Sequence, residues 1–179
     1  MNKKNIWKIV LAVALIIFFI AFFTALNEKM YSTYSFGDTG VSVTVYNKFK
    51  FQDDERKNTD VSIYNDELET YIVGRQLPDT FWASGDLLAA CDEYLRTISA
   101  MYYDREIKDV SYEKIKVDGV EVGRVNMTAS QKNSSNKATT LIFPKKYKNL
   151  IIEIYGNEEI LNEKSYEIEN VIKNIKIKK

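Results

Sequence analysis

Few residues in this chain are suited to catalysis or metal binding, and histidine is absent altogether. The 179 residues include no histidine and a single cysteine. Histidine is the usual general base and the commonest metal ligand, so Ser-His-Asp and Cys-His arrangements are excluded. One thiolate cannot form a zinc or iron–sulfur cluster within a monomer. Carboxylates, one thiol and aromatic side chains remain as candidates.

The thiol and the acidic segment each favour a structural interpretation over a functional one. Cys91 shares helical spacing with Leu87, Leu88 and Leu95, which predicts a small buried residue rather than a reactive or cross-linking thiol. The acids from 53 to 69 suggest calcium binding, but they lack the alternation and glycine of a calcium loop, so a solvated surface is predicted. They are Asp53, Asp54, Glu55, Asp60, Asp66, Glu67 and Glu69.

Carboxylate pairs and glycine spacing give no catalytic assignment. Asp92–Glu93 and Glu158–Glu159 are adjacent in sequence, and adjacent helical residues do not face one another. Gly119-x-x-x-Gly123 lies in a predicted hairpin and is not followed by the Lys-Ser/Thr pair of a phosphate loop. We therefore predict no catalytic residue, no metal ligand and no cofactor, and we expect that the protein is not an enzyme.

Aromatic side chains are the remaining candidates for a binding surface. Six of them lie at the ends of predicted elements, where large rings contribute less to packing of the core. Such rings can line a ligand groove or a protein interface, although core filling is the favoured interpretation. They are Phe49, Phe51, Phe81, Trp82, Tyr102 and Tyr103.

An apolar run near the N-terminus indicates the cellular location of the protein. Residues 9–26 are apolar except for Thr24, and Lys3, Lys4 and Lys8 precede them. A helix of this length approaches the ~30 Å thickness of a bilayer core. We predict a short cytoplasmic tail (1–8), a transmembrane signal-anchor helix (9–26) in contact with membrane lipid, and one extracytoplasmic domain (27–179). A cleaved signal peptide is the alternative.

The part of the chain after residue 26 is predicted to be one α+β domain. Alternating apolar residues predict strands at 31–36, 41–45, 61–64, 71–73, 110–117, 120–129, 139–143 and 150–155. Residues 85–103 have the spacing of an amphipathic helix, and a second helical region follows Asn157. Asp118-Gly119 predicts a tight hairpin, and 130–137 is predicted to be a loop. The charge is slightly acidic and mixed, which predicts no nucleic-acid partner.

The order of these elements resembles the PsbP-like α/β/α sandwich. The C-terminal segments 150–156 (LIIEIYG) and 168–177 (IENVIKNIKI) carry the resemblance, as a buried strand followed by a helix that closes on an apolar tail. The resemblance implies a mainly antiparallel sheet packed against two helices. It also implies a mostly non-catalytic family that includes photosystem accessory subunits and exported bacterial lipoproteins. A cystatin-like or nuclear-transport-factor-like α+β domain is the alternative.

Two functions remain open from the sequence. The first is a non-catalytic module that binds a protein partner or assembles with an envelope complex at the membrane. The second is a small-molecule or lipid-binding domain, with a carboxylate-based hydrolase as its remote variant. The second requires a cavity of roughly 300–1,000 Å³, and the hydrolase further requires two carboxylates that converge in that cavity.

Overall fold

The computed structural model describes residues 3–52, 59–78, 85–101, 105–131 and 134–178, with the backbone alone at 3–11 and 27–29. Its helices are α1 (Lys3–Met30), α2 (Leu87–Met101), α3 (Glu158–Glu163) and α4 (Ser165–Lys173). Its first five strands are β1 (Tyr31–Ser35), β2 (Val41–Tyr46), β3 (Phe49–Phe51), β4 (Thr59–Asn65) and β5 (Thr70–Gln76). The later strands are β6 (Glu106–Val117), β7 (Val120–Gln131), β8 (Ser134–Ile142), β9 (Leu150–Asn157) and β10 (Ile175–Ile177).

The strands form two antiparallel sheets. The larger sheet has the order β3-β4-β5-β9-β8-β7-β6, and the smaller has the order β1-β2-β10. The C-terminal strand β10 therefore returns to pair with β2, which brings the two ends of the described domain into one sheet. Strands β5 and β9 are paired directly, so the two halves of the larger sheet meet at that ladder.

Period-two alternation divides the apolar side chains between the two faces of the larger sheet. One face joins the smaller sheet, α3 and α4 in a core that includes Ile72, Ile152, Ile154, Leu161 and Ile168. The other face carries a second core, built by α2 against β7, β8 and β9. That second core includes Leu87, Cys91, Tyr94, Val125 and Ile151. Helix α2 therefore covers only the part of this face that β6, β7 and β8 form.

Most predicted elements of the domain are confirmed, including α2 and the hairpin at Asp118-Gly119. The predicted loop at 130–137 is wrong in its extent. Strand β7 continues to Gln131 and β8 starts at Ser134, with Ser130 paired to Ser135. Hydrogen bonding between two neighbouring backbones extends the ladder there despite the polar side chains, because strand pairing does not itself require apolar residues.

The predicted transmembrane helix over 9–26 is corrected. Within the residues whose side chains are described, no helix is both long enough and apolar enough to cross a membrane. The single-pass, signal-anchor and membrane-lipid predictions are corrected with it. The bounds of the domain at 27–179 and its extracytoplasmic location stay predictions.

Candidate binding site beside helix α2

Three tyrosines lie side by side across the centre of the larger sheet. Tyr64 on β4 is paired with Tyr71 on β5, and Tyr71 is paired with Tyr155 on β9. The ring centroids of Tyr64 and Tyr71 are 4.3 Å apart, and those of Tyr71 and Tyr155 are 5.1 Å apart with planes within 10°. All three side chains are partly exposed. We call Tyr64, Tyr71 and Tyr155 the tyrosine row.

The same transverse line of residues continues with a much smaller side chain. Tyr155 is paired with Ala138 on β8, and Ala138 is paired with Met127 on β7. The small methyl group of Ala138 leaves space between its two larger neighbours. A pocket of about 460 Å³ opens there, next to the C-terminal half of α2. We call it the α2 pocket, and its lining residues are Tyr71, Tyr94, Ile98, Arg105, Met127, Ala129, Asn136, Ala138, Thr140, Glu153 and Tyr155.

A buried charged network lies at the base of this pocket. Glu153 on β9 accepts hydrogen bonds from the Arg75 guanidinium at 2.5 Å and from the Tyr94 hydroxyl at 2.6 Å. Thr140 in turn donates to the Tyr94 oxygen at 3.1 Å. The side chain of Glu153 is 8% exposed and that of Arg75 is 16% exposed. We call Arg75, Tyr94, Thr140 and Glu153 the Glu153 network.

Tyr94 and Arg75 have complementary electrostatic roles around the Glu153 carboxylate. Burial raises the pKa of Tyr94 well above its usual value, and the neighbouring Glu153 carboxylate raises it further. Tyr94 therefore keeps its proton and acts as a hydrogen-bond donor. Arg75 supplies the opposite charge that a buried carboxylate requires. The network fixes the floor of the pocket and holds α2 against the sheet.

The lining of the α2 pocket combines apolar and polar side chains, as a binding site requires. Apolar side chains such as Ile98 and Met127 line it together with charged and polar residues that include Arg105, Asn136 and Glu153. Among the described lining residues, Glu153 is the one carboxylate. The pair of convergent carboxylates that the hydrolase hypothesis requires is therefore not found in the described lining.

The structure buries Cys91 in the core beneath α2. Its side chain is 0% exposed, and it lies over Gly123 of β7. Burial raises the pKa of the Cys91 thiol to about 11, with a smaller contribution from the Asp86 carboxylate. The thiol is therefore protonated at neutral pH and packs as a small hydrophobic group, in the position that its helical spacing predicts.

The acidic segment does not form one site in the described residues. Glu67 is paired with Lys48, and Asp66 lies 3.5 Å from Lys50, on the exposed surface near β3. Asp60 accepts a hydrogen bond from Gln76. In the described part of the chain, no cluster of three or more acidic, cysteine or histidine residues is placed to hold a metal ion. Asp53, Asp54 and Glu55 lie outside the described residues.

The other sequence candidates are separated from the α2 pocket. Asp92 is paired with Arg96 on the exposed side of α2. Glu158 and Glu159 occupy the first turn of α3, where negative charge is favourable. Phe49 is buried and Phe51 is exposed. Phe81, Trp82, Tyr102 and Tyr103 lie outside the described residues.

None of the residues that line the α2 pocket is among the candidates predicted from the sequence. Two signals point to them. Glu153 interrupts the apolar strand LIIEIY, and Arg75 follows the apolar run YIVG. A charge inside a buried strand requires a partner of opposite charge, so these two residues are natural candidates for a buried pair. Their pairing depends on the β5–β9 register, which neither segment reveals alone.

The comparisons with known proteins show the fold. No protein-family model and no curated protein matches the chain. The solution structure of cyanobacterial PsbP from Synechocystis aligns with a TM-score of 0.61 and 12% identity, over 84% of this chain and 94% of that one. The Ran-binding protein Mog1p from Saccharomyces cerevisiae aligns with a TM-score of 0.58 and 8% identity, over 82% and 95%. The predicted PsbP-like resemblance is confirmed, and it extends to Mog1p.

Proposed function

We propose that this domain is a non-enzymatic module that binds a protein partner through the tyrosine row and the adjoining rim of the α2 pocket. The observation that carries the proposal is the row itself, three partly exposed tyrosines on β4, β5 and β9 in which Tyr71 contacts the rings of both Tyr64 and Tyr155. Helix α2 packs on β6, β7 and β8 of the same face. The row therefore lies beside the helix, on the neighbouring strands.

The chemistry of tyrosine supports this interpretation. Tyrosine offers a large apolar surface and a polar hydroxyl at a low cost in side-chain entropy, and it is enriched in protein interfaces. Ring–ring contacts hold the three side chains in place before a partner arrives, which reduces the entropy lost on binding. A preformed aromatic surface next to a pocket is a suitable anchor for a protruding side chain.

The shared fold is consistent with the proposal. The similar protein from Saccharomyces cerevisiae is described as Ran-binding, which is a protein-binding activity on the same architecture. Because a fold can host many functions, this support concerns the type of role and does not identify a partner. The proposal of a non-enzymatic role rests on the sequence, which lacks histidine and any recognisable catalytic motif.

A pair of tyrosine substitutions tests the proposal. The full chain carrying Tyr71→Ala and Tyr155→Ala would be cross-linked in its native cells and purified, and the proteins recovered with it would be compared with those recovered by the unchanged chain. A matched control carries Tyr46→Ala and Tyr166→Ala, two tyrosines that are 50% and 58% exposed outside the row. Loss of a partner in the row variant alone supports the proposal. Equal recovery by both variants, at equal thermal stability, contradicts it.

Binding of a small molecule is a second candidate function, because the α2 pocket has a suitable size. Its volume of about 460 Å³ falls inside the ~300–1,000 Å³ range of small-molecule sites. Its lining is mainly apolar with a few convergent polar groups, as such sites require. A titration of the full chain with a small panel of organic molecules tests this function directly.

A further inference from the structure

The tyrosine row is interrupted at β8, and the α2 pocket opens there. The ring centroids of the row are 4.3 and 5.1 Å apart, close to the ~4.8 Å spacing of neighbouring strands. The next position in the line is Ala138, which is paired with Tyr155. A flat ring above the Ala138 methyl group would therefore lie one strand spacing from the Tyr155 ring and continue the line.

Larger side chains surround this position within the sheet. Tyr155 and Met127 are its paired residues on the two neighbouring strands, and they are about 10 Å apart because two strand spacings separate them. Thr140 and Asn136 lie two positions away along β8, so they point to the same face. All four line the pocket. The space above Ala138, which we call the Ala138 slot, therefore has room for one flat ring with a polar residue at each end.

The end of the slot at Thr140 has unused capacity to accept a hydrogen bond. Glu153 is paired with Thr140, so it is a diagonal neighbour of Ala138, at a distance that a large side chain spans. Its carboxylate accepts one hydrogen bond from Arg75 and one from Tyr94, whereas a carboxylate can accept about four. The described residues supply no third donor. A ligand that brings a donor to this end of the slot therefore gains a hydrogen bond to a charged group, which is among the stronger kinds.

An uncharged donor suits this site better than a cation. Glu153 and Arg75 form a close ion pair and are both mostly buried, so the carboxylate already has its counter-charge. A phenol keeps its proton at neutral pH, and its hydroxyl donates a hydrogen bond from the edge of a six-membered ring. A phenolic ring therefore meets both requirements, which are a flat group above Ala138 and an uncharged donor directed at Glu153.

We infer that the α2 pocket binds a phenolic ring, which lies in the Ala138 slot between Tyr155 and Met127 and donates a hydrogen bond from its hydroxyl to Glu153. The inference deepens the second candidate function and rests on it. The ring has two sources of the same chemistry: a free phenol, or the side chain of a tyrosine in a partner protein. A partner's tyrosine would also extend the tyrosine row across the interface.

Ligand-observed NMR titration of the unmodified full chain tests the inference without relying on any variant. The probes are para-cresol, its methyl ether and toluene, which share the ring and differ in the donor. All three are uncharged at neutral pH, so their order does not depend on the net charge of the pocket. Para-cresol should bind at least about tenfold more tightly than the other two. Equal binding of the ether overturns the inference but leaves small-molecule binding intact. Absence of binding by all three also overturns it, and the panel titration then decides separately whether the pocket binds another small molecule.

One substitution locates the ring. Ala138→Leu should fill the slot and reduce para-cresol binding by more than about tenfold. Ala100→Leu, at an exposed position of α2 outside the pocket lining, is the matched control and should not change the affinity. Retained binding by a folded Ala138→Leu protein overturns the inference.

A double substitution identifies the acceptor. Glu153→Leu with Arg75→Met removes the carboxylate and its counter-ion together, so neither charge is left buried alone. This variant should lose the preference for para-cresol over its methyl ether. The matched control, Glu67→Leu with Lys48→Met, removes an exposed ion pair and should keep the preference. A preference retained by the folded Glu153→Leu, Arg75→Met protein overturns the inference.

Peptide probes separate the two sources of the ring. A short peptide with one central tyrosine is compared with the same peptide that carries phenylalanine at that position. Tighter binding of the tyrosine peptide than of para-cresol supports the inference with a partner protein as the source, and tighter binding of para-cresol supports it with a free phenol as the source. Tighter binding of the phenylalanine peptide than of the tyrosine peptide overturns the inference.

Discussion

At the scale of single residues, the buried charge of Glu153 is the most informative feature of the domain. A carboxylate within an apolar strand is stable only when its oxygens have partners, because burial of an isolated charge is very costly. Arg75 and Tyr94 supply those partners from β5 and α2. The network therefore ties the helix to the sheet and shapes the floor of the α2 pocket with the same atoms.

Removal of one partner should cost more than removal of both. Glu153→Gln leaves the Arg75 guanidinium buried without its counter-ion, and we expect the free energy of unfolding to fall by roughly 3–5 kcal/mol. The double variant Glu153→Leu with Arg75→Met should recover a large part of that loss. Urea unfolding measures both. Glu67→Gln, which affects an exposed pair with Lys48, is the control, and a loss of similar size there would contradict the account.

Close packing at Gly123 gives a second prediction at this scale. A Cβ atom at position 123 would lie 2.4 Å from the Cys91 sulfur, which is far inside contact distance. Gly123→Ala should therefore destabilise the domain by about 1–3 kcal/mol. Cys91→Ala removes the sulfur, so the double variant should be more stable than Gly123→Ala alone. Additive losses in urea unfolding would show that the two positions do not touch.

The Cys91 thiol should also make stability depend on pH in the alkaline range. Its pKa is about 11 in the folded domain, against an ordinary value of 9.0. The unfolded thiol therefore releases its proton first as the pH rises. Its contribution to stability is complete below pH 9 and is lost progressively as the pH rises from about 9 to about 11. The free energy of unfolding of the unmodified chain should fall more steeply over this range than that of Cys91→Ala, and parallel curves would contradict the prediction.

At the scale of elements, the sequence pattern predicts those helices and turns whose formation depends on residues close together in the chain. The helical spacing of Leu87, Cys91 and Ile98 predicts α2, and Asp118-Gly119 predicts the β6–β7 hairpin, because each depends on neighbouring residues. The α2 pocket depends on pairing between distant strands. Ala138, Tyr155 and Tyr71 share one line only because β8, β9 and β5 are adjacent in a particular register. A shift of one residue would turn each side chain to the opposite face.

The start of α3 offers a prediction about a single element. The Asn157 side chain accepts hydrogen bonds from the backbone N–H groups of Glu159 at 3.0 Å and Ile160 at 3.4 Å. Asn157→Ala should cost about 1 kcal/mol of stability because those donors lose their cap. Thermal unfolding followed by circular dichroism checks this, with the exposed Asn170→Ala on α4 as the control. An unchanged melting temperature for Asn157→Ala would show that the cap is not needed.

At the scale of the whole molecule, the arrangement of covering elements decides which surface can bind. The smaller sheet, α3 and α4 join one face of the larger sheet in a continuous core. On the other face, α2 packs on β6, β7 and β8 and leaves the tyrosine row beside it. The proposed binding surface is thus a consequence of unequal coverage of the two faces. The proposed role follows from this asymmetry together with the stacked rings.

Site-specific photo-cross-linking from the tyrosine row tests this central claim most directly. A photoreactive phenylalanine analogue would replace Tyr155 in one chain and, as the control, Tyr166 on α4 in another, and both chains would be irradiated in native cells. We expect a covalent adduct with one defined partner protein from position 155 and none of that mass from position 166. An absence of any adduct from position 155, or the same adduct from both positions, would contradict the account.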